Sequence, residues 1–306
     1  MERTYTMLPL GPWLTALCAA GCVAHLALSS PVANDIHDVQ RSERTAAVGA
    51  ASDERAPGLL VALGDSITYG YHLGNPRQPS PYAFPYLMAK QEGLHALDLG
   101  VPGWTSADLL HALETDRAMQ ADVAQAQVIT VDIGSNDLLL PALAMLPAGA
   151  DWARVTPTTA QAKQLSSELA AGIQDVQKNL ASILRMLHQD NPRATVIVYD
   201  LYNPFPASDK WLHQTAEAAI VAANAAIAAD ALPAGDPVAD AYDALTQPSQ
   251  DILPHDVHPT VLGQRLLAEA GEQALAMAPM VKAAATPQGR NSLLQWLGDQ
   301  LASGAW

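Results

Sequence analysis

The feature that most constrains the fold is an alternation of short apolar segments with longer helical patterns. The apolar segments are about five or six residues long and often rich in β-branched side chains, which favours buried strands. Strands separated by helices require right-handed crossovers, so we predict a three-layer, doubly wound α/β domain with a five-stranded parallel sheet. The strands are predicted at Leu59–Leu63, Ala96–Val101, Val128–Ile133, Thr195–Tyr199 and Pro237–Ala241.

Two of the helical patterns are especially clear. Between Gln161 and His188, leucine, isoleucine and valine recur every three or four residues, which is the period of an amphipathic helix. This helix should stop before Pro192, because proline restricts the backbone of the residue that precedes it. The segment Lys210–Leu232 is so rich in alanine that intrinsic propensity predicts a helix, ending at Pro233.

The two ends of the 306-residue chain differ in composition from its middle. Residues Thr4–Asn34 contain no charged side chain, which predicts a signal peptide at 1–33 or, if it is retained, an N-terminal membrane anchor. We expect the remainder to divide into a flexible linker at 34–57, one α/β domain at 58–279, and a linker with a C-terminal amphipathic helix at 280–306.

Charge and cysteine content restrict the partners and the compartment. The chain has 31 acidic and 16 basic side chains and a formal net charge of -15, which argues against nucleic acid or an anionic membrane surface as a partner. Nothing indicates an obligate protein partner. Both cysteines, Cys18 and Cys22, lie in the apolar N-terminal segment, so export is inferred from that segment and not from disulfides.

Polar residues follow the predicted strands at the points where the strands end. The first strand is followed by Gly64-Asp65-Ser66, the second by a loop containing Gly103, the third by Gly134-Ser135-Asn136-Asp137, and the fifth by a segment containing His258. The carboxyl ends of parallel strands meet at one edge of the sheet, where ligands bind in such folds. We therefore predict a functional site at this edge.

The residue types at this edge suit nucleophilic catalysis. A serine hydroxyl is a poor nucleophile until a base takes its proton, and His258 can supply an imidazole to Ser66. Attack on an ester creates an oxyanion, which needs fixed hydrogen-bond donors. The Ser66 amide at a predicted helix start, the Gly103 amide and the Asn136 side chain are three such donors. Each of these residues alone is commonly a turn or cap residue, and only their shared position indicates a site.

With these residues the sequence resembles the GDSL-type, or SGNH, hydrolases. Gly64-Asp65-Ser66 matches the nucleophile block of that family, Gly103 the second block, Asn136 the third, and His258-Pro259 the last. The resemblance implies a flavodoxin-like sheet and ester hydrolysis without metal or organic cofactor. It implies Ser66 as nucleophile, His258 as general base, and an oxyanion hole formed by Ser66, Gly103 and Asn136.

One departure from the family pattern leaves the third catalytic group open. The last block usually has aspartate three residues before the histidine, but this chain has His255 there and places Asp256 only two residues before His258. Three alternatives remain: Asp256 serves from a shifted loop, a backbone carbonyl completes a Ser-His dyad, or Asp251 folds back. We favour Asp256. A metal site formed by His255, Asp256 and His258 is disfavoured, because it would leave the serine block unexplained.

The sequence thus predicts a secreted serine esterase or lipase that hydrolyses acyl esters, with a lysophospholipase-like activity as one form. The apolar segment after Asn136, Leu138–Leu146, either packs in the core or lines the substrate pocket. One alternative is a carbohydrate O-acetylesterase of the same fold. The other is a binding module without catalysis, which the missing aspartate at position 255 motivates.

Overall fold

The computed structural model describes residues 57–144 and 157–289. The predicted signal peptide, nearly all of the linker at 34–57, and the predicted C-terminal amphipathic helix therefore lie outside the described residues. Met145 and Leu146, at the end of the apolar segment after Asn136, also lie outside them.

The described residues form one five-stranded sheet whose strands all run parallel, in the order β2-β1-β3-β4-β5. This is the flavodoxin-like order, and it confirms the predicted fold class. The two outer strands, β2 and β5, are shorter than predicted. The strands are β1 (Leu59–Gly64), β2 (His95–Asp98), β3 (Val128–Asp132), β4 (Thr195–Tyr199) and β5 (Val238–Ala239).

The central strands are buried on both faces, and their side chains divide between two apolar cores. In β1, Leu59, Val61 and Leu63 point into one core, whereas Leu60 and Ala62 point into the other, as the two-residue period of a strand requires. The two cores lie on opposite faces of the sheet. A strand buried in this way reads as a continuous apolar run, which is why β1 was recognisable in the sequence.

Helices cover both faces of the sheet. The core that contains Leu60 is closed by α1 (Phe84–Gln91) and by the long helix α9 (Val261–Ala285), which continues through Pro279. The opposite core is closed by α2 (Ser106–Thr115), α3 (Arg117–Gln125), α4 (Ser135–Ala144), α5 (Thr159–Asp190) and α6 (Lys210–Ala234). Two short helices, α7 (Ala241–Ala244) and α8 (Pro248–Asp251), lie between β5 and α9.

Helix α5 begins with a capping box, in which Thr158 and Gln161 each bond to the backbone of the other, and it ends before Pro192 as predicted. Helix α6 does not end at Pro233. It continues through Pro233 to Ala234 and ends at Gly235, whose φ of 91° permits the left-handed cap. Among the described helices, α6 alone is long and apolar enough to span a bilayer, by length and composition only. In this fold it packs against α5.

Candidate active site

Ser66 lies where β1 ends, in a run of turns and not at the start of a helix as predicted. The Asp65 carboxylate accepts a hydrogen bond from the Ile67 amide (2.9 Å), and the Asp65 carbonyl accepts one from the Tyr69 amide (3.1 Å). The chain turns again where the Tyr71 amide donates to the Ser66 carbonyl (3.0 Å). These bonds fix the backbone around Ser66, so its amide is held without a regular helix.

His258 lies on a loop that is closed on itself. Residues Ile252 and Pro259 form an isolated antiparallel bridge, and the Leu253 amide donates to the His258 carbonyl (2.9 Å). The Tyr202 hydroxyl, beyond β4, donates to the Val257 carbonyl (2.6 Å). The side chain of His258 is consequently buried and fixed at the same sheet edge as Ser66.

The loop places Asp256 against His258 although only one residue separates them. The Asp256 Oδ1 atom lies 2.6 Å from His258 Nδ1 and also accepts a hydrogen bond from the Val257 amide (2.7 Å). Asp251 lies elsewhere, since its Oδ2 accepts from the Gln247 amide (2.8 Å). Of the three alternatives for the third group, only Asp256 has this geometry, while its catalytic role stays a prediction.

A second histidine, which the sequence analysis missed, contacts the same carboxylate. Asp256 Oδ2 lies 2.6 Å from His72 Nδ1, and the ring of His72 stands edge-on to that of His258, with 5.2 Å between ring centroids. Burial acts to raise the pKa of Asp256, but the hydrogen bond and charge of His258, with the bond from His72, hold it well below its usual range. Asp256 is therefore an anion throughout the neutral range.

The predicted oxyanion donor Asn136 lies in the first turn of α4. Its Nδ2 atom lies 2.9 Å from the Trp104 carbonyl and 3.2 Å from Asp65 Oδ2. Gly103 is in the adjacent loop with a φ of 88°, which a side-chain-bearing residue rarely adopts. Asn136 thus connects the turn that carries Ser66 to the loop that carries Gly103. The structure brings these three sequence-predicted residues to one sheet edge, and their role as oxyanion donors stays a prediction.

A buried network stands behind Asn136. The carboxylate of Asp137 accepts from the Ser106 amide (2.8 Å) and hydroxyl (2.6 Å), and Asn179 of α5 donates to the same hydroxyl (2.9 Å). These bonds join α2, α4 and α5 at the site. Burial raises the pKa of Asp137 to about 6, although the two bonds from Ser106 act to lower it.

Two more carboxyls lie buried beneath the turn of Ser66. Burial, followed by the nearby charge of Asp132, raises the pKa of Asp65 well above its usual range. Burial also raises the pKa of Asp132 to about 7, against the lowering effect of the hydrogen bond from Thr68. Apolar surroundings favour the neutral form of a carboxyl, which explains why both pKa values are raised.

An apolar cavity opens onto the site. Ser66, Asn136 and His258 line one end of it, and its free volume, including the open mouth, is about 1070 Å³. The cavity continues between α4, α5 and α6, so Leu138 and Leu139 of the apolar segment after Asn136 line it. Most of its wall is apolar, including Leu138, Leu139, Leu169, Leu201, Trp211 and Ile220.

One group of side chains has residue types that could bind a metal ion. Potential ligand atoms of His72, Asp256 and His258 lie within 4.8 Å of one another, and His255 is not part of this group. Asp256 Oδ1 lies 2.6 Å from His258 Nδ1 and Asp256 Oδ2 lies 2.6 Å from His72 Nδ1, and both are hydrogen-bond distances. Ligands around a tetrahedral zinc ion stand about 3.3 Å apart at bond lengths near 2.0 Å. The oxygen–nitrogen distances therefore fit two hydrogen bonds better than a metal site.

The fold and the residues at its sheet edge define an ester hydrolase. The GDSL-like Lipase/Acylhydrolase family matches residues 62–266, which is more than half of the chain. The chain belongs to this family, and it is an ester-hydrolysing enzyme. The match includes every residue for which the sequence predicted a catalytic or oxyanion role. No curated protein matches the chain significantly.

Solved structures share the fold at low sequence identity. A lipase from a goat rumen metagenome superposes with a TM-score of 0.54 at 22% identity, over 72% of this chain and 96% of that one. An extracellular lipase from Streptomyces rimosus gives 0.55 at 18% identity, over 71% and 99%. Phospholipase A1 from Streptomyces albidoflavus gives 0.54 at 18%, over 73% and 100%. At these identities the likeness extends to the fold and does not identify a substrate.

Proposed function

We propose that the protein is a serine esterase that hydrolyses carboxylic esters with an extended acyl chain. The observation that carries this proposal is the apolar cavity that opens onto Ser66 and His258 and runs between α4, α5 and α6. A cavity with a mostly apolar wall that extends between three helices suits a flexible hydrocarbon chain. An acetyl group would leave most of that wall without contact.

The proposed mechanism begins with the Ser66 hydroxyl. Its oxygen attacks the ester carbonyl while its proton passes to His258 Nε2, and the Asp256 carboxylate stabilises the imidazolium through Nδ1. The tetrahedral oxyanion is bound by the amides of Ser66 and Gly103 and by the side chain of Asn136. Asn136 would exchange its 3.2 Å contact with Asp65 for the oxyanion.

The intermediate collapses when the carbon–oxygen bond to the alcohol breaks and His258 returns the proton to the leaving alcohol. An acyl-enzyme on Ser66 remains. Water then attacks the acyl-enzyme ester while His258 takes a proton from the water. The second tetrahedral intermediate breaks its bond to the Ser66 oxygen, which regains a proton from His258, and the carboxylic acid is released. Each proton removed in an attack returns in the following collapse, so no metal or organic cofactor enters this proposed reaction.

The two alternatives fit the observations less well. A carbohydrate O-acetylesterase would be favoured by an open groove with exposed aromatic rings, whereas the cavity beside Ser66 is lined mainly by aliphatic side chains. A binding module without catalysis was motivated by the missing aspartate at position 255. The 2.6 Å contact between Asp256 and His258 removes that motive.

Chain-length selectivity tests the proposed function. We expect the rate on p-nitrophenyl esters to rise from acetate to medium-chain acyl groups, because a longer chain contacts more of the cavity wall. Ser66→Ala should abolish turnover and covalent labelling by a fluorophosphonate, whereas Ser182→Ala, at a partly exposed position of α5 outside the cavity wall, should retain both. Undiminished hydrolysis by Ser66→Ala would contradict the nucleophile assignment. An acetyl-only profile would displace the acyl-chain proposal in favour of the acetylesterase.

We also propose that the protein is exported, either released or held at a membrane by its N-terminal segment. The support is the charge-free, largely apolar stretch Thr4–Asn34. Fractionation of cells that express the full chain tests this, together with N-terminal sequencing of the exported form. A new N-terminus near residues 29–33 indicates cleavage, and an intact N-terminus in the membrane fraction indicates an anchor. Recovery of the full chain in the cytosol would contradict export.

A further inference from the structure

The carboxylate of Asp256 contacts two imidazoles, although the reaction proposed above requires only one. Its Oδ1 atom lies 2.6 Å from His258 Nδ1, and its Oδ2 atom lies 2.6 Å from Nδ1 of His72. Asp256 is nearly buried and the side chain of His72 is about one-third exposed. Since an ionised carboxylate only accepts hydrogen bonds, each imidazole presents an Nδ1–H to it.

His72 is fixed to the same segment as Ser66. The Tyr71 amide donates to the Ser66 carbonyl (3.0 Å), and the Leu73 amide donates to the Gly70 carbonyl (3.1 Å). His72 itself has a φ of 67°, a left-handed conformation that is uncommon for residues other than glycine and asparagine. The bond from His72 to Asp256 therefore joins the turn that carries the nucleophile to the loop that carries the base, across 184 residues of sequence.

The position of Asp256 explains why such a bond is needed. An aspartate only two residues before His258 shares one oxygen, Oδ1, among the Val257 amide (2.7 Å), His258 Nδ1 (2.6 Å) and, at 3.4 Å, the His258 amide. The other oxygen, Oδ2, lies 2.6 Å from His72 Nδ1, and this hydrogen bond fixes the plane of the carboxylate. Without it, the carboxylate can rotate about its last torsion, which is broad and weakly restricted for aspartate.

We propose that His72 is a positioning residue that orients Asp256 towards His258 and holds the nucleophile turn against the base loop. This inference rests on the proposed function, because it assigns His72 a part in the same reaction. His72 acts through Asp256 and touches neither the ester nor the attacking oxygen. The hydrogen bond from His72 adds a restraint on the carboxylate, which in this chain comes from a position two residues before His258 and not three.

Three variants test whether the hydrogen bond from His72 matters. His72→Asn keeps a donor one bond from Cγ, in the place of Nδ1, and asparagine tolerates a positive φ. His72→Ala removes the donor. His111→Ala is the control, since His111 is an exposed histidine of α2 and lies outside the group of His72, Asp256 and His258. Circular dichroism and thermal melting confirm that each variant folds.

We expect His72→Ala to lower kcat about 10-fold to 100-fold with KM within about twofold of the original, because misorientation of the base slows chemistry more than binding. His72→Asn should recover most of the rate, and His111→Ala should leave it unchanged. A loss in His72→Asn as large as that in His72→Ala would show that the donor is not what matters.

A double-mutant cycle tests whether His72 acts through Asp256. In the background of Asp256→Ala, adding His72→Ala should change kcat by less than about twofold, since the partner is already gone. Equal losses in both backgrounds would overturn the proposal, and so would full activity of His72→Ala on its own.

The two proposals can fail separately. If the unaltered enzyme has no hydrolysis that depends on Ser66, the proposed function fails, whatever His72 does. The proton NMR signal of His258 Nδ1 then still tests the arrangement. It should be slow to exchange in the unaltered protein and in His72→Asn, and broadened in His72→Ala. The same sharp signal in all three proteins would contradict a positioning role.

Discussion

At the scale of single residues, the site depends on a carboxylate at an unusual position in the sequence, two residues before His258. His255 adopts a φ of 58°, and the Asp256 amide donates to the Leu253 carbonyl (3.1 Å). This tight turn redirects the chain just before Asp256, so its carboxylate meets His258 Nδ1 at 2.6 Å. A histidine in the left-handed region is uncommon, and here it accompanies the shortened spacing between aspartate and histidine.

Replacing the two candidate aspartates separately tests this assignment. We expect Asp256→Asn to lower kcat by about 10² to 10⁴, because an amide cannot stabilise the imidazolium as a carboxylate does. Asp251→Asn should leave kcat within about threefold, since Asp251 bonds to the Gln247 amide and acts on stability instead. Steady-state kinetics on one ester, at matched folded fractions, measures both. A greater loss in Asp251→Asn would reverse the assignment.

The sequence narrowed the third group to three alternatives without choosing among them. A choice required the backbone torsions of the base loop, which residue types do not specify. His72 was missed altogether because its partner lies 184 residues away. The available signal was modest: a histidine six residues after the nucleophile, in a chain with only nine histidines.

At the scale of elements, the contact between α4 and α5 positions the oxyanion donor. Gly172 of α5 is buried, and a Cβ atom at this position would overlap the Asp137 carbonyl in the first turn of α4. Asn136 precedes Asp137, so the spacing of the two helices fixes the position of its side chain. Helix α5 therefore supports the site although it carries none of the predicted catalytic residues.

We predict that Gly172→Ala lowers both stability and kcat, because the backbone of α4 must move away from the added methyl group. The sign of the stability change is informative, since a change from glycine to alanine inside a helix otherwise stabilises a protein by about 0.5–1 kcal/mol. Ala171→Gly, at the neighbouring exposed position, should cost about 1 kcal/mol without changing kcat. Thermal melting and steady-state kinetics measure both effects. A more stable and fully active Gly172→Ala variant would contradict the close contact.

Helix α6 provides a test of the cavity. Ala216 lines it, so Ala216→Phe should fill part of the acyl path and shift the preferred p-nitrophenyl ester to a shorter chain. We expect the kcat/KM for medium-chain esters to fall about tenfold or more, with acetate little affected. Ala222→Phe, on an exposed position of the same helix, is the control and should keep the original profile. An unchanged profile for Ala216→Phe would mean that the acyl chain lies elsewhere.

The elements themselves were largely predictable because periodicity and proline positions act locally. All five strands and helix α5 were located from sequence, whereas two local inferences were wrong. The segment after Ser66 forms turns and not a helix, since Asp65 uses its side chain and carbonyl to close them. Helix α6 passes Pro233 and is capped one residue beyond Ala234 by Gly235 in the left-handed conformation, so the glycine and not the proline marks its end.

At the scale of the whole molecule, buried carboxyls make stability depend on pH. Burial raises the pKa of Asp132 and Asp200 to about 7 and that of Asp137 to about 6. The folded state binds these protons more tightly than the unfolded chain, so their effect destabilises the fold as pH rises from about 4 to about 7. The hydrogen bond that His188 donates to Asp236 raises the pKa of His188, and that contribution also disappears as pH rises through the folded pKa.

We therefore expect the protein to be more stable at pH 5 than at pH 8. The lowered pKa of Asp256 affects stability only at acidic pH, since the stabilisation that the Asp256 carboxylate contributes is lost only below about pH 4. Asp132, together with its effect on the pKa of Asp65, should contribute on the order of 2–3 kcal/mol between pH 5 and pH 8. Asp132→Asn should reduce the difference in unfolding free energy by that amount, and the exposed Asp190→Asn should not. Urea titrations at both pH values measure it. Greater stability at pH 8 would contradict the prediction.

The sequence by itself determined the architecture and the family. Apolar runs, helical periods and the blocks at Ser66, Gly103, Asn136 and His258 are local patterns, and strand ends in a parallel sheet necessarily meet at one edge. Only the tertiary structure decided that Asp256 faces His258, that His72 bonds to the same carboxylate, and that a cavity lies between α4, α5 and α6. These contacts join distant segments or depend on loop torsions, and a linear pattern of residue types carries no record of either.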